Sequence, residues 1–297
     1  MKPNGVWPLR TMLFAPGNQT RKISNAFGVG ADAVIIDLED AVPRSEKEST
    51  RASVAQWISV NRNERTYVRV NGFNSPAHAA DVESLVGLPI DGIVVPKVDT
   101  GEEIRAFCAT LDLLETRAGV PDCSIDVLPI IESAAGLQNA YAIARSGTRI
   151  RRLLFGGVDY SLDLDLDVGA DEAELAYARA ALTNASRAAG IEAPVDTPCL
   201  QFRDAKAILD SAHSARRFGF QGKLCIHPSQ VGVCNQVFTP SVAAINRARE
   251  IVTQFEHAEA AGVAAIEIQG DMIDYPVVEK ARRVLAIASL LQESAPK

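Results

Sequence analysis

A chain of 297 residues with 47% hydrophobic content can bury one large core. Its 37 acidic and 30 basic residues leave a formal charge of −7, and no basic block carries interleaved aromatics, so nucleic acid is disfavoured as the main partner. No apolar stretch approaches the roughly 18 residues of a membrane span, Met1 to Thr11 lacks the apolar region of a signal peptide, and five widely spaced cysteines without a C-x-x-C pair read as reduced thiols of a cytoplasmic protein.

In chain order, Met12-Leu-Phe-Ala-Pro-Gly17 reads as a first strand stopped by Pro-Gly, followed by a helix from Arg21 to Phe27. Ala33 to Asp37 is a continuous apolar run, as a strand buried on both faces requires. Helical periodicity over Glu46–Val60 leads to a third strand at Tyr67–Val70, and a helix over Pro76–Val86 leads to a fourth at Gly92–Pro96. Gly101 to Arg117 reads as helix, Asp126–Glu132 as the fifth strand, Ala134–Ala144 as helix and Leu153–Gly156 as the sixth strand. Glu172–Ala189 is helical, Ala193–Val195 is a short seventh strand, Asp204–Phe218 is helical and Lys223–His227 closes an eighth strand. Arg149, Arg151 and Arg152 read as a solvated turn before the sixth strand, and Cys225 as core filling.

Strands alternating with helices imply a parallel sheet, and eight units in this length fit a (β/α)₈ TIM barrel better than an open sheet. No Gly-x-Gly-x-x-Gly follows the first strand, which weakens a dinucleotide-binding reading. The pattern changes afterwards: a helix over Ser241–Ala261, a strand-like alternation over Val263–Gln269 and a helix over Pro276–Leu291. The expected organisation is therefore a catalytic barrel over residues 1–237 and a C-terminal helical extension over 238–297, serving as a lid or oligomer contact.

Asp37, Arg69, Lys97, Glu132, Asp159, Asp196 and His227 each close or follow an apolar run, with gaps of 32, 28, 35, 27, 37 and 31 residues. A strand-helix-strand unit takes roughly 30 residues, so these groups are expected to converge on one barrel mouth, where catalytic groups sit. Glu132 and Asp159, ending adjacent strands, suit a hard cation such as Mg²⁺; each is equally readable as a cap of the helix that follows. Gly156-Gly157 favours the first reading by letting a ligand approach closely. Arg69, inside an apolar strand, has the planar fork that recognises a carboxylate or keto acid, or else pairs with Asp37 or Glu39. Asp37 and Glu39 fall on one side of their strand and read as supporting residues or as a polar loop. Lys97 reads as a rim ion pair or a Schiff-base lysine, and His227 as a hydrogen-bonded strand end or a base. No Gly-x-Ser-x-Gly elbow or His-Glu-x-x-His helix occurs.

These residues resemble the citrate lyase β-subunit-like members of the HpcH/HpaI aldolase group, which includes malyl-CoA and citramalyl-CoA lyases. The markers are Leu13-Phe-Ala-Pro-Gly17, Ala31 to Val42, Val68-Arg-Val-Asn71, Pro96-Lys97, Ile130-Ile-Glu-Ser133, Phe155-Gly-Gly-Val-Asp159, Gly222-Lys223 with Ile226-His-Pro228, and Gly270 to Asp274. The resemblance implies Mg²⁺ ligation by Glu132 and Asp159, and substrate contact by Arg69, Glu132 and Phe14. It also implies a catalytic proton role for Asp274 in a neighbouring subunit's site, within a homotrimer or hexamer. The implied reaction is Mg²⁺-dependent carbon–carbon cleavage of a malyl-, citramalyl- or citryl-CoA-like 3-hydroxyacyl thioester. CoA-binding relatives often carry an arginine and a lysine where Gln19 and Asn25 stand here, with Arg21 and Lys22 nearby. A CoA-independent 2-keto-4-hydroxy acid aldolase is therefore a second reading. A non-catalytic barrel or a subunit of a larger lyase is a third.

Overall fold

The computed structural model describes residues 8–63, 65–121 and 123–293. Of the opening stretch read as lacking a signal peptide, the first seven residues lie outside the described ones. Eight parallel strands close in sequence order, β8 pairing back to β1, as the (β/α)₈ reading requires. They are β1 (Thr11–Pro16), β2 (Ala33–Asp37), β3 (Thr66–Arg69), β4 (Gly92–Val95), β5 (Asp126–Ile131), β6 (Leu154–Phe155), β7 (Val195–Asp196) and β8 (Gly222–Cys225). Around them run α1 (Thr20–Phe27), α2 (Lys47–Val60), α3 (His78–Leu85), α4 (Gly101–Ala118), α5 (Ala134–Gln138), α6 (Ala140–Ala144), α7 (Gly157–Asp163), α8 (Ala176–Ala189), α9 (Ala205–Arg217) and α10 (Pro228–Phe238). Local signals fix several boundaries. Thr100 and Glu103 form a reciprocal capping box at the start of α4, and Asp204 accepts the N–H groups of Lys206 and Ala207 at the start of α9.

The barrel interior follows strand parity. One cluster gathers Met12 and Phe14 from β1, Ala33 and Ile35 from β2, Tyr67 from β3, Val94 from β4, Leu128 and Ile130 from β5, Leu154 from β6, Val195 from β7 and Leu224 from β8. Successive strand residues face opposite sides, so this series continues inward every second residue toward the strand ends. The weakest seam lies between β6 and β7, two-residue strands that share a single registered pair, Leu154 with Val195.

The arginines before β6 depart from expectation. Arg149 and Arg152 are buried rather than solvated. Arg149 pairs with Asp112 and Glu115, and Arg151 and Arg152 both pair with Glu192. Buried guanidinium groups require such partners. Helices α7 and α10 were not anticipated. The helix expected over Ala134–Ala144 breaks into two at Asn139.

The chain divides into two compact units, Leu9–Gln236 holding the barrel, and a second that includes Val237 onward. In the second, α11 (Val242–Ala260) and α12 (Tyr275–Glu293) enclose a small core of Ile251, Phe255, Ile268, Ile273 and Val278 with the hairpin β9 (Ile266–Ile268) and β10 (Asp271–Ile273). The hairpin turns through Gln269 and Gly270, both at positive φ. Among the described residues no helix is long and apolar enough to cross a membrane.

Candidate active site

Extending the interior parity past the strand ends selects Asp37, Arg69, Glu132, Gly156, Thr197 and Ile226. All six line a cavity of about 400 Å³ together with Phe14, Asp40, Asp159 and Leu200. Of the seven polar strand-end residues, Asp37, Arg69, Glu132 and Asp159 converge there. The other three do not line the cavity, which corrects the expectation of seven-fold convergence. Lys97, Asp196 and His227 stand one residue off the inward series set by Val94, Val195 and Leu224. Asp196 is fully buried behind the barrel wall with Lys223, Nζ to Oδ2 at 2.6 Å, and with Arg179, whose Nε and Nη2 donate to its two oxygens at 3.0 Å. His227 stacks on Phe202 and meets the Ser229 hydroxyl through Nδ1 at 2.8 Å.

Arg69 is clamped. Its Nε and Nη2 donate to Oδ1 and Oδ2 of Asp37, both at 2.7 Å. Its Nη1 lies 2.9 Å from Glu39 Oε2, an ion-pair contact out of line for a hydrogen bond. The guanidinium also sits over the Phe14 ring at 4.9 Å. The two readings of Arg69 coexist: the salt bridge to Asp37 fixes a fork whose five N–H groups are not all engaged and whose side chain faces the cavity. Burial pushes the Asp37 carboxyl up, but the Arg69 charge and hydrogen bonds outweigh it and hold Asp37 below the usual range. Burial dominates at Glu39 and leaves it raised despite Arg69 and Lys97. Lys97 donates from Nζ to Glu39 at 2.7 Å, so the rim ion pair prevails over a free amine. Its backbone is left-handed, φ +53°, and its N–H donates to Glu132 Oε1 at 2.7 Å.

Glu132 is 5% exposed. Burial first, then repulsion from Asp159 and Glu39, pushes its carboxyl up to about 8. A buried carboxyl crowded by like charge is an arrangement that a cation relieves. Among the described residues no cluster of three or more His, Cys, Asp or Glu gathers into a metal cage. Two carboxylates beside an open cavity fit Mg²⁺, which keeps several waters and takes one or two protein carboxylates. Ca²⁺ or structural zinc would need more ligands.

The two glycines also make room for protein side chains. A Cβ on Gly156 would fall 2.4 Å from Glu132 Oε2, and one on Gly157 would fall 2.9 Å from Thr197 Cγ2. Gly156 itself lines the cavity. Thr197, missed in the sequence, accepts the Gly157 N–H through Oγ1 at 3.0 Å. Its inward parity with Val195 was the signal that could have found it. Gln19, Arg21, Lys22 and Asn25 are all exposed, beside or on α1. Asp274 lies in the second unit, where Oδ1 accepts the Val277 N–H at 3.3 Å at the start of α12.

The profile of the HpcH/HpaI aldolase/citrate lyase family matches residues 10–228. Citrate lyase subunit beta of Leuconostoc mesenteroides subsp. cremoris is 34% identical over 283 residues, 94% of this chain and 93% of that protein. The mitochondrial citramalyl-CoA lyase of Rattus norvegicus is 28% identical over 299 residues, 96% of this chain and 88% of that protein. A crystal structure of CitE from Mycobacterium tuberculosis, in complex with magnesium, acetoacetate and coenzyme A, superposes with a TM-score of 0.78 at 26% identity. It covers 94% of this chain and 98% of that one.

Proposed function

This chain belongs to the HpcH/HpaI aldolase/citrate lyase family, and on that premise we propose that it is a Mg²⁺-dependent carbon–carbon lyase of 3-hydroxyacyl thioesters of the malyl-, citramalyl- or citryl-CoA kind. It is an enzyme of the lyase class, as its named relatives are. One observation carries the metal assignment: Glu132 and Asp159 border the same cavity as Arg69, and Glu132 is raised to about 8 by burial beside Asp159.

Glu132 and Asp159 would hold the ion. When bound there, Mg²⁺ supplies Lewis-acid stabilisation of negative charge developing on the substrate's hydroxyl oxygen. The Asp37 clamp holds the Arg69 guanidinium toward the cavity, where it binds the substrate carboxylate. Phe14 supports the guanidinium from its ring face. In the cleavage direction a base removes the hydroxyl proton, the carbinol becomes a carbonyl, and the carbon–carbon bonding pair moves to the α-carbon of the thioester. An acid then protonates that enolate carbon. The products are a 2-oxo acid and an acyl thioester. Asp274, reaching from another copy of a trimer or hexamer, is the proposed carrier of one of these protons.

The test is a screen of malyl-, citramalyl- and citryl-CoA, and of free 2-keto-4-hydroxy acids, with Mg²⁺ and with chelator. Thioester cleavage that disappears with chelator, and in Glu132→Gln and Asp159→Asn variants that stay folded, is expected. Full turnover without metal, or turnover of the free acids alone, contradicts the proposal. A second reading has one support: relatives at 32–34% identity are named as subunits. In that case the isolated chain is inactive on CoA thioesters while still binding the metal.

A further inference from the structure

We infer that Thr197 is a positioning residue for the metal-binding carboxylate of Asp159, acting across the barrel's weakest seam. The inference rests on the proposed ligation of the ion by Asp159.

Asp159 is the third residue of α7, a helix that begins at Gly157 directly after β6. The first N–H groups of a helix have no partner within it. The Gly157 N–H is the first of these, and its acceptor comes from 40 residues away. Thr197, the residue after β7, takes the Gly157 N–H on Oγ1 at 3.0 Å, in a buried hydrogen bond. Its methyl group lies where a Cβ on Gly157 would collide, at 2.9 Å, so Thr197 both receives the helix start and limits its approach.

The seam between β6 and β7 makes this contact matter. A single registered pair joins those strands, whereas β1 and β2 share five. Ladder hydrogen bonds alone therefore leave the start of α7, and Asp159 two residues on, weakly held relative to β7. Thr197 itself is anchored. The preceding residue, Asp196, is locked behind the wall by Lys223 and Arg179. Thr197 is also 3% exposed, so solvent cannot readily replace its hydroxyl. Arg179 and Lys223 fix Asp196, the chain carries that position to Thr197, and Thr197 sets the first turn of α7. Glu132 is held separately, by the Lys97 N–H.

Thr197→Val keeps the shape and removes the acceptor; Thr197→Ser keeps the acceptor. Thr197→Ala removes the acceptor with no added bulk and serves as the second variant if Thr197→Val does not fold. The readouts are Mn²⁺ affinity by electron paramagnetic resonance, without substrate, and kcat at saturating metal. Support is Mn²⁺ binding weakened about tenfold or more in the acceptor-free variants, in line with the loss of a residue that orients a ligand. Thr197→Ser should stay near the parent in both readouts. Parent-like Mn²⁺ affinity in folded Thr197→Val or Thr197→Ala, with Asp159→Asn losing it, overturns this inference. Parent-like affinity in Asp159→Asn overturns the metal reading itself.

Discussion

At the residue scale, the proposed chemistry rests on a carboxyl that burial favours protonated and from which a bound cation would displace the proton. Glu132 titrates near 8 without the ion because burial and Asp159 both oppose its charge. Below that pH the ion must displace a proton. Binding of Mg²⁺ at pH 7 should therefore release close to one proton per site, and affinity should strengthen with rising pH and level off above about 8. Titration calorimetry in two buffers of different ionisation enthalpy measures the release; no difference between buffers contradicts the assignment. Gly156→Ala is a second test. Its Cβ would sit 2.4 Å from Glu132 Oε2 and displace that carboxylate, and a misplacement of about 1 Å costs on the order of 10²-fold in rate. Steady-state kcat/KM on the thioester reads it, and unchanged activity would mean that Glu132 need not stay where it is. The sequence exposed Glu132, Asp159 and Arg69 because charge beside apolar strands is conspicuous. It hid Thr197, because a threonine after a two-residue strand carries no such contrast.

At the element scale, most strands were legible because a barrel strand buried on both faces must be continuously apolar, as Ala33–Ile36 is before Asp37 closes the strand. Convergence was only partly legible. Spacing places a residue near a strand end, but parity decides whether it faces the cavity, and parity needs the inward series to be known. Lys97, Asp196 and His227 share the spacing and miss the parity. Helix α7 escaped notice because the acceptor for its first N–H comes from Thr197, just after β7, a non-local contact invisible to local pattern. Helix α10 had a readable sign, Pro228 at its first position, and the hairpin turn had Gly270, masked by Gln269 where asparagine is usual. The Asp196 cluster predicts stability behaviour. Burial raises Asp196, but Lys223 and Arg179 outweigh it and hold it low. Its contribution is therefore complete above the ordinary aspartate pKa and lost as pH falls through the depressed native value. Asp196→Asn removes the carboxylate that faces the buried Lys223 ammonium, while Arg179 keeps Glu172, and should cost about 3–5 kcal/mol. Urea denaturation at pH 7 checks this, and a loss below about 1 kcal/mol would mean that solvent reaches the cluster.

For the whole molecule, the barrel and the second unit carry different parts of the proposal. The barrel supplies metal ligands and Arg69; the second unit supplies Asp274. If Asp274 serves a neighbouring copy, then Asp274→Asn and Glu132→Gln, each inactive alone, should regain part of the activity when mixed under conditions of subunit exchange. Failure to complement, with exchange shown by mass spectrometry, would restrict the site to one chain. The most direct test of the central claim is an anomalous difference map from crystals of the enzyme soaked in Mn²⁺. We expect a peak beside the carboxylates of Glu132 and Asp159, and no such peak in Asp159→Asn. A metal peak elsewhere in the barrel, or none at saturating Mn²⁺, would contradict it.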